Sequence, residues 1–581
     1  MKMLLLSVFA PVVISPVLLF LSSKWRRAIM LIYIAGLLFL AFSLLTGAWP
    51  GLDTEFSAIT LGAGTKIVLF SFSEHVYSNI AAFGFLFVGA IGLLYGLSVS
   101  KSSEQAVALV AIASAIGVAF ADSFLTFLFF WETLTLSTAA LVFLRRTPHA
   151  VSMAYRLLFF SLMSGFSLLV GIVMQYNAVG TFELMYPQAG LFFFILGIGI
   201  KTAFLPLHFW VPWGYPAANF PCSVLLAALC TKVGVYAVAR VLPPSSFINI
   251  MGACMAIFAV TMALLQSDLR KLLSYHIISQ VGYMVAGVGL GISLSVDGGL
   301  LHLVNHMIYK ALLFMSAGAL IYTVGTENLH DLHAPAEESD AGNKDIIWKA
   351  LPIAFIGAVV GALAISGTPL FNGYVSKYLL KNAMHDVNPA GWLLNIASIG
   401  TALSFSKFVY FGFIKGRAKI QRKLNFSMQL AIIVLSASCI VTGIWPQLLA
   451  KLVPHESSLQ VYSASGVTMA LILVLGGIAC FALLAKALEK EMKLGMPVGL
   501  KLVVDKAVIK TYGNILNAVG AARDSVYRSA FFLMQRMDYK PGRNGVFHFI
   551  NVTNIDFDVM LLMVMLGVAL IFFFSLLSTG F

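Results

Sequence analysis

Charged side chains are scarce in this sequence of 581 residues: Asp, Glu, Lys and Arg supply 10% of it, against 60% hydrophobic residues. A soluble domain carries roughly a quarter charged residues, so a chain of this size cannot present a water-facing surface all round. Cysteine is scarce too. Cys222, Cys230, Cys254, Cys439 and Cys480 lie in or at the end of apolar segments without paired metal-ligand spacing, which argues against disulfides, zinc and iron–sulfur clusters. A Gly-rich phosphate loop, a haem-attachment motif and a Ser/His/Asp arrangement are also missing. No cofactor, no metal and no covalent or redox chemistry is therefore expected of this chain. Hydrophobicity this high excludes disorder and leaves a polytopic, all-α membrane protein.

Each bilayer crossing needs about 20 mostly apolar residues. Apolar runs predict sixteen spans, at 3–22, 28–48, 78–99, 105–121, 122–144, 152–176, 190–210, 222–242, 247–266, 270–291, 298–324, 350–387, 390–414, 426–448, 466–486 and 557–578. The first is no convincing signal peptide, because its apolar stretch is long and no small-residue cleavage site precedes Lys24.

The net charge of +13 does not point to nucleic acid, because short cytoplasmic loops of membrane proteins collect Lys and Arg. Lys24/Arg26/Arg27, Arg145/Arg146, Arg270/Lys271 and Lys415–Lys423 follow the first, fifth, ninth and thirteenth spans, whereas Asp122, Glu183 and Asp297 follow the fourth, sixth and tenth. This parity predicts both termini outside the cytoplasm, and the expected location is a prokaryotic cytoplasmic (inner) membrane. Between the last two spans, Val504, Val508, Tyr512, Ile515, Val519, Ala522 and Val526 recur at steps of three and four. Such a stripe predicts an amphipathic helix along the cytoplasmic surface, within 490–548.

Ionisable residues stand where the bilayer makes them costly, by about 2.5–3.5 kcal/mol each on insertion scales. Glu132 lies in FLFFWETLTL, Lys201 in GIGIKTAFLP, Lys232 in LLAALCTKVGVY, His302, His306 and Lys310 in LLHLVNHMIYKALLF, Lys377 in PLFNGYVSK and Lys407 in LSFSKFVYF. An isolated lysine near a span end can snorkel to the interface, which is one reading of Lys407; a place in the pathway with His276, Ser279 and Tyr309 is the other. The joint occurrence of the others points instead to an ion or proton pathway. His302, His306 and Lys310 fall at i, i+4 and i+8 and share one helix face, with His276, Ser279 and Tyr309 offering further polar groups. Two spans read as discontinuous. Lys201 precedes Pro206, and Lys377 follows Gly367, Pro369 and Gly373, so each lysine adjoins a helix break, a pattern found in transporters. Grouping the spans as 105–242 and 247–414 puts each break in the fourth member of a five-span set. A five-span repeat inserts its second copy upside down, so inverted repeats are expected. The remaining divisions are 1–104, with three spans and an extracytoplasmic loop, 426–486 with two spans, and 557–578 as an anchoring span.

The strings FFWETLTLSTAAL, GIGIKTAFLPLHFWVP, LLAALCTKVGVYAVAR, QSDLRKLLSYHIISQVGYM, HLVNHMIYKALLFMSAGALI and SGTPLFNGYVSK resemble the antiporter-like subunits shared by respiratory complex I, Mrp-type cation/proton antiporters and membrane-bound hydrogenases. The resemblance covers roughly residues 75–415. It implies two inverted five-helix bundles, each enclosing a half-channel, joined by a hydrated polar axis. Glu132 would then pair with Lys201, Lys232 and the His302/His306/Lys310 series would relay protons, and Lys377 would be the terminal group. The segment VPWGYPAANFP departs from the family pattern in having no ionisable residue. What the resemblance implies for function is a proton-translocating subunit of a multisubunit membrane complex, contacting other membrane subunits through the lateral helix. The alternatives are a component of an Mrp-type Na⁺/H⁺ antiporter, or a proton-flux subunit for a non-redox partner such as inorganic-carbon uptake.

Overall fold

The computed structural model describes residues 2–47, 53–60, 66–332, 345–384, 389–453, 455 and 461–494. The expected lateral helix at 490–548, beyond its first residues, and the span at 557–578 lie outside the described residues. The chain divides into two units, Met1–Lys486 and Ala487–Phe581.

The helices of the first unit are α1 (Lys2–Phe20), α2 (Ser23–Thr46), α3 (Ser78–Gly96), α4 (Ser102–Phe120), α5 (Phe124–Phe143), α6 (Pro148–Val179), α7 (Leu191–Thr202), α8 (Trp210–Ala217), α9 (Phe220–Val241), α10 (Ser246–Leu264), α11 (Leu269–Leu290), α12 (Ser293–Val324), α13 (Ile347–Ala350), α14 (Pro352–Ser366), α15 (Asn372–Ala383), α16 (Pro389–Val409), α17 (Phe426–Ile444), α18 (Gln447–Ala450) and α19 (Ala464–Leu494), the last turns of which belong to the second. Eleven helical segments among the described residues are long and apolar enough to cross a membrane. α11 is absent from that set because Ser274, His276, Ser279 and Gln280 dilute its apolar run, yet all four are fully buried.

Helix starts follow local chemistry. Ser123, Thr147, Ser245 and Asp268 each accept a hydrogen bond at their helix N-terminus, from the amides of Thr126, Ala150, Ile248 and Lys271, which satisfies donors the helix itself leaves open. α6 and α12 run 32 residues each, about 48 Å at 1.5 Å per residue, so both outreach the ~30 Å hydrocarbon layer. α12 starts at Ser293, which corrects the expected boundary of 298 and moves Asp297 from a loop into the helix. There it is buried and pairs with His455 at 3.0 Å.

Two crossings are interrupted. α7 stops at Thr202 with Ala203 in the left-handed region (φ 65°), the Leu205–Pro206 peptide is cis, and α8 resumes at Trp210. The crossing predicted at 190–210 therefore extends to Ala217. α14 stops at Ser366, Gly367 and Leu370 take positive φ (81° and 73°), and α15 resumes at Asn372. A side chain beyond each break bonds a carbonyl at the end of the preceding helix: Trp210 Nε1 donates to Ile200 O at 2.9 Å, which also accepts from the Ala203 amide, and Lys377 Nζ donates to Ile365 O at 2.6 Å.

The polarity of the packing is that of a protein dissolved in lipid. Phe20, Phe192, Trp392, Phe426 and Leu483 are exposed, whereas Lys201, Lys232, His302, His306 and Lys310 are wholly buried. Loop contacts join neighbouring crossings. Arg270 bonds Glu327 and β3 (Asp345–Ile346) pairs with β4 (Arg417–Ala418). Elsewhere, Ser73 donates to Asp122 at 2.6 Å and the Ser123 backbone bridges to Glu183.

The all-α expectation needs one further correction. Residues of the first long loop form an antiparallel hairpin, β1 (Asp53–Thr60) and β2 (Lys66–Ser73), with Asp53 opposite Ser73 and Thr60 opposite Lys66. The β-branched and aromatic run KIVLFSFS carries the signal. Within β2, Phe72 packs on Phe130 of α5.

Candidate functional site

α5 and α7 present the first charged groups. Lys201 occupies the last turn of α7, where the helix dipole favours a cation. Its Nζ donates to Thr135 Oγ1 at 2.6 Å and lies 5.2 Å from the Trp131 ring centre. Both Glu132 oxygens lack a hydrogen-bond partner among the described residues. The expected contact between Glu132 and Lys201 is therefore not formed in this conformation, although each carboxylate and ammonium still feels the other's charge. The carboxylate occupies a slot against α6 that Gly165 leaves open: a Cβ at residue 165 would lie 1.5 Å from Glu132 Oε1. Trp131 Nε1 donates to Ser164 at 3.2 Å and Ser164 to Gly197 O at 2.6 Å, tying α5, α6 and α7 together around that slot.

α9 carries the next group. A Cβ on Gly234 would meet Thr202 Oγ1 at 2.6 Å and the Lys201 carbonyl carbon at 3.0 Å, so only glycine lets α9 approach the Lys201 backbone this closely. Two residues earlier, Lys232 Nζ donates to Ala227 O at 2.5 Å and to Thr231 Oγ1 at 3.2 Å. Its charge reaches both His306 and Lys310 of α12.

The α12 series is wholly buried, as its i, i+4, i+8 face packs inward. His302 Nδ1 lies 2.8 Å from Ser376 Oγ of α15, while its Nε2 lies 3.2 Å from Gln280 Oε1 of α11 and 3.3 Å from the Tyr309 hydroxyl. His306 has neither ring nitrogen engaged, and the Lys310 ammonium likewise has no hydrogen-bond partner among the described residues. Lys310 instead faces the Phe405 ring at 5.5 Å. Such buried atoms demand partners, and groups spaced at one helical turn suit bridging water. His276 bonds Ser404 Oγ at 2.8 Å. Ser279 spends its hydroxyl on Ala256 O at 3.0 Å.

Lys377 closes the row at the second break, 4.8 Å over the Tyr283 ring. Asn305 and Asn372 clasp α12 to α15 there, each side-chain amide donating to the other's backbone carbonyl at 2.8 and 3.3 Å. Lys407 stands apart. It donates to Leu264 O and Gln266 O at 2.9 Å each, the bonds of a cap on the C-terminal end of α10.

Three groups gain a role only from the structure. Lys381, four residues beyond Lys377, donates to Ser398 Oγ at 2.8 Å; the Lys-x-x-x-Lys spacing on a short helix is the available signal in the sequence. Arg145 and Arg270 read as loop cations there. Arg145 donates to Pro216 O and Ala217 O at 3.2 and 3.3 Å, and Arg270 to Ala218 O at 2.6 Å. The two guanidiniums therefore cap α8, the helix formed by the segment without ionisable residues. Among the described residues no group of three or more His, Cys, Asp or Glu could hold a metal, and the five cysteines are free thiols.

The fold and this interior define a class: a helical membrane protein with two broken crossings and a row of buried ionisable residues between them. Residues 121–404 match the family described as NADH:quinone oxidoreductase/Mrp antiporter, TM. The Na(+)/H(+) antiporter subunit A1 of Staphylococcus epidermidis is 26% identical over 432 residues, 65% of this chain and 52% of that protein. The NADH-quinone oxidoreductase subunit N of Desulforudis audaxviator is 30% identical over 285 residues, 44% of this chain and 54% of that one. This chain thus spans about half the length of the curated relatives it matches. A chain of the Mrp complex from Dietzia sp. DQ12-45-1b superimposes with a TM-score of 0.68 at 19% identity, over 83% of this chain and 99% of that one. Over residues 121–404 the chain is therefore similar to the antiporter-like subunits that complex I and Mrp antiporters share.

Proposed function

We propose that this chain translocates protons within a multisubunit membrane complex, through two half-channels of inverted five-helix repeats joined by the axis Glu132, Lys201, Lys232, His302, His306, Lys310 and Lys377. The observation that carries this reading is the succession of buried ionisable side chains from Lys201 to Lys377, between two helix breaks. Neighbouring like charges about 6 Å apart repel by about 3 kcal/mol at an effective dielectric constant near 20. A proton arriving at one member of the row therefore favours departure from the next. Glu132 sets the first step: near Lys201 it holds the ammonium charge, and in the Gly165 slot it lets the proton move on. Tyr309, Gln280 and Ser376 orient His302 for transfer along α12, and His276 adds a titratable group beside Ser404.

The end bearing Arg145, Arg270 and Lys415–Lys423 is the cytoplasmic one in this reading, in keeping with the bias of basic residues, and both termini face out. Sixteen spans complete the topology, with partner membrane subunits met through the lateral helix at 490–548. Similarity to proteins named as Na(+)/H(+) antiporter subunits favours one second reading, in which the complex exchanges Na⁺ for protons.

Inverted membrane vesicles carrying the whole complex separate the two. If protons are pumped by a driving reaction, vesicle acidification needs that reaction's substrate and persists without Na⁺. An imposed acid-inside gradient that collapses on adding Na⁺, without that substrate, supports exchange instead. Absence of both would refute a transport role.

A further inference from the structure

We propose that Lys381 is the proton-release group of the chain, receiving protons from Lys377 and giving them up to a cavity walled by α15, α16 and α19. This rests on the reading of the buried row as a proton path and adds its outlet.

The cavity has a volume of about 490 Å³ and is lined by both Lys377 and Lys381. A water occupies about 30 Å³ of liquid, so the space is large enough for a connected group of waters. Tyr378, Asn382 and Asn395 add polar wall, and Met469 and Leu473 of α19 complete the lining. Trp392 at the rim is 74% exposed, so the cavity reaches the protein surface.

Two hydroxyls lie beside the two lysines. Lys377 sits over the ring of Tyr283, whose hydroxyl is 2.9 Å from Ser398 Oγ, and Ser398 Oγ accepts from Lys381 Nζ at 2.8 Å. The Tyr283 and Ser398 hydroxyls both reach Leu394 O, at 2.6 and 3.0 Å. Ser398 is thus held with its proton on that carbonyl and a lone pair toward Lys381. Lysines at i and i+4 share a helix face about 6 Å apart, within reach of one bridging water. Among the described residues no carboxylate forms an ion pair with Lys381, so its charge is not locked in a static pair. The transfer balances simply: an N–H bond of the Lys377 ammonium breaks as a proton passes through water to the neutral Lys381 amine, which then loses a proton to cavity water.

The test uses the intact complex in membrane vesicles, with Lys381→Met, Lys381→Arg and Ser398→Ala beside Lys201→Ala. Release requires a group that can give up its proton, which guanidinium cannot do near neutral pH. Both Lys381 variants are therefore expected to cut proton flux at least tenfold with complex abundance unchanged, and Ser398→Ala to lower it severalfold. Normal flux in Lys381→Arg would show that only a positive charge is needed there, as for binding an anion, and would overturn the proposal. So would normal flux in Lys381→Met. If neither Lys381 variant assembles, unchanged flux in Ser398→Ala overturns it. Normal flux in Lys201→Ala would instead overturn the proton-path reading on which it rests.

Discussion

Replacing Gly165 with alanine removes the slot in which the Glu132 carboxylate rests. The new Cβ would stand 1.5 Å from Oε1 and 2.4 Å from Cδ, whereas ordinary contact needs about 3.5 Å. The carboxylate must therefore shift by roughly 2 Å or the helices must part, and overpacking of this kind costs about 1–3 kcal/mol. The side chain has somewhere to go. Beside Lys201 it gains an attraction of about 4 kcal/mol at 4 Å and an effective dielectric constant of 20. The substitution thus biases Glu132 toward the lysine by about 1–3 kcal/mol, and the ammonium holds its proton longer. Proton flux in vesicles carrying the intact complex should fall about tenfold to hundredfold at unchanged complex abundance, since about 1.4 kcal/mol is a factor of ten. Adding Glu132→Asp, one methylene shorter, should restore part of the flux because the shorter acid clears the new methyl. Flux within about twofold of wild type in Gly165→Ala would refute the idea that the slot matters.

Other expectations concern stability and assembly. Arg270→Ala should lower stability by about 1–3 kcal/mol, the range for losing hydrogen bonds to a charged group, because Ala218 O, Ser223 and Glu327 all lose a donor; thermal unfolding of the detergent-solubilised complex checks this, and an unchanged midpoint contradicts it. His75, outside the spans, has its pKa lowered to about 4 by burial first and Arg240 second. A neutral folded histidine that charges on unfolding contributes stability above about pH 6.5 that is lost as pH falls toward about 4, so His75→Gln should flatten the acid limb of a melting-temperature profile. Deleting about 495–540 should reduce the subunits that co-purify with this chain while leaving its own membrane insertion intact; unchanged co-purification would dismiss the lateral brace.

Much of the candidate site is legible in the sequence. Intramembrane charge is costly enough that Glu132, Lys201, Lys232, His302, His306, Lys310 and Lys377 stand out from their apolar surroundings alone, and Pro206 and Gly367 mark where crossings break. Pairing between side chains is not legible. Whether Glu132 meets Lys201 depends on a rotamer and on one glycine of a neighbouring helix, which no spacing along α5 reveals. Arg145 and Arg270 look like topogenic loop cations because sequence does not show that two loops converge on the end of α8. Lys381 falls near the end of the expected crossing at 350–387, and only the structure shows α16 and α19 enclosing it beside Lys377. The β1–β2 hairpin is masked by its setting, since its alternating residues sit in a loop flanked by far longer apolar runs.

If the buried row carries the transported proton, Lys201 is its most exacting test. In vesicles holding the assembled complex, Lys201→Ala should abolish coupled proton movement while the complex remains intact. Undiminished proton movement in that variant would contradict the proposed path.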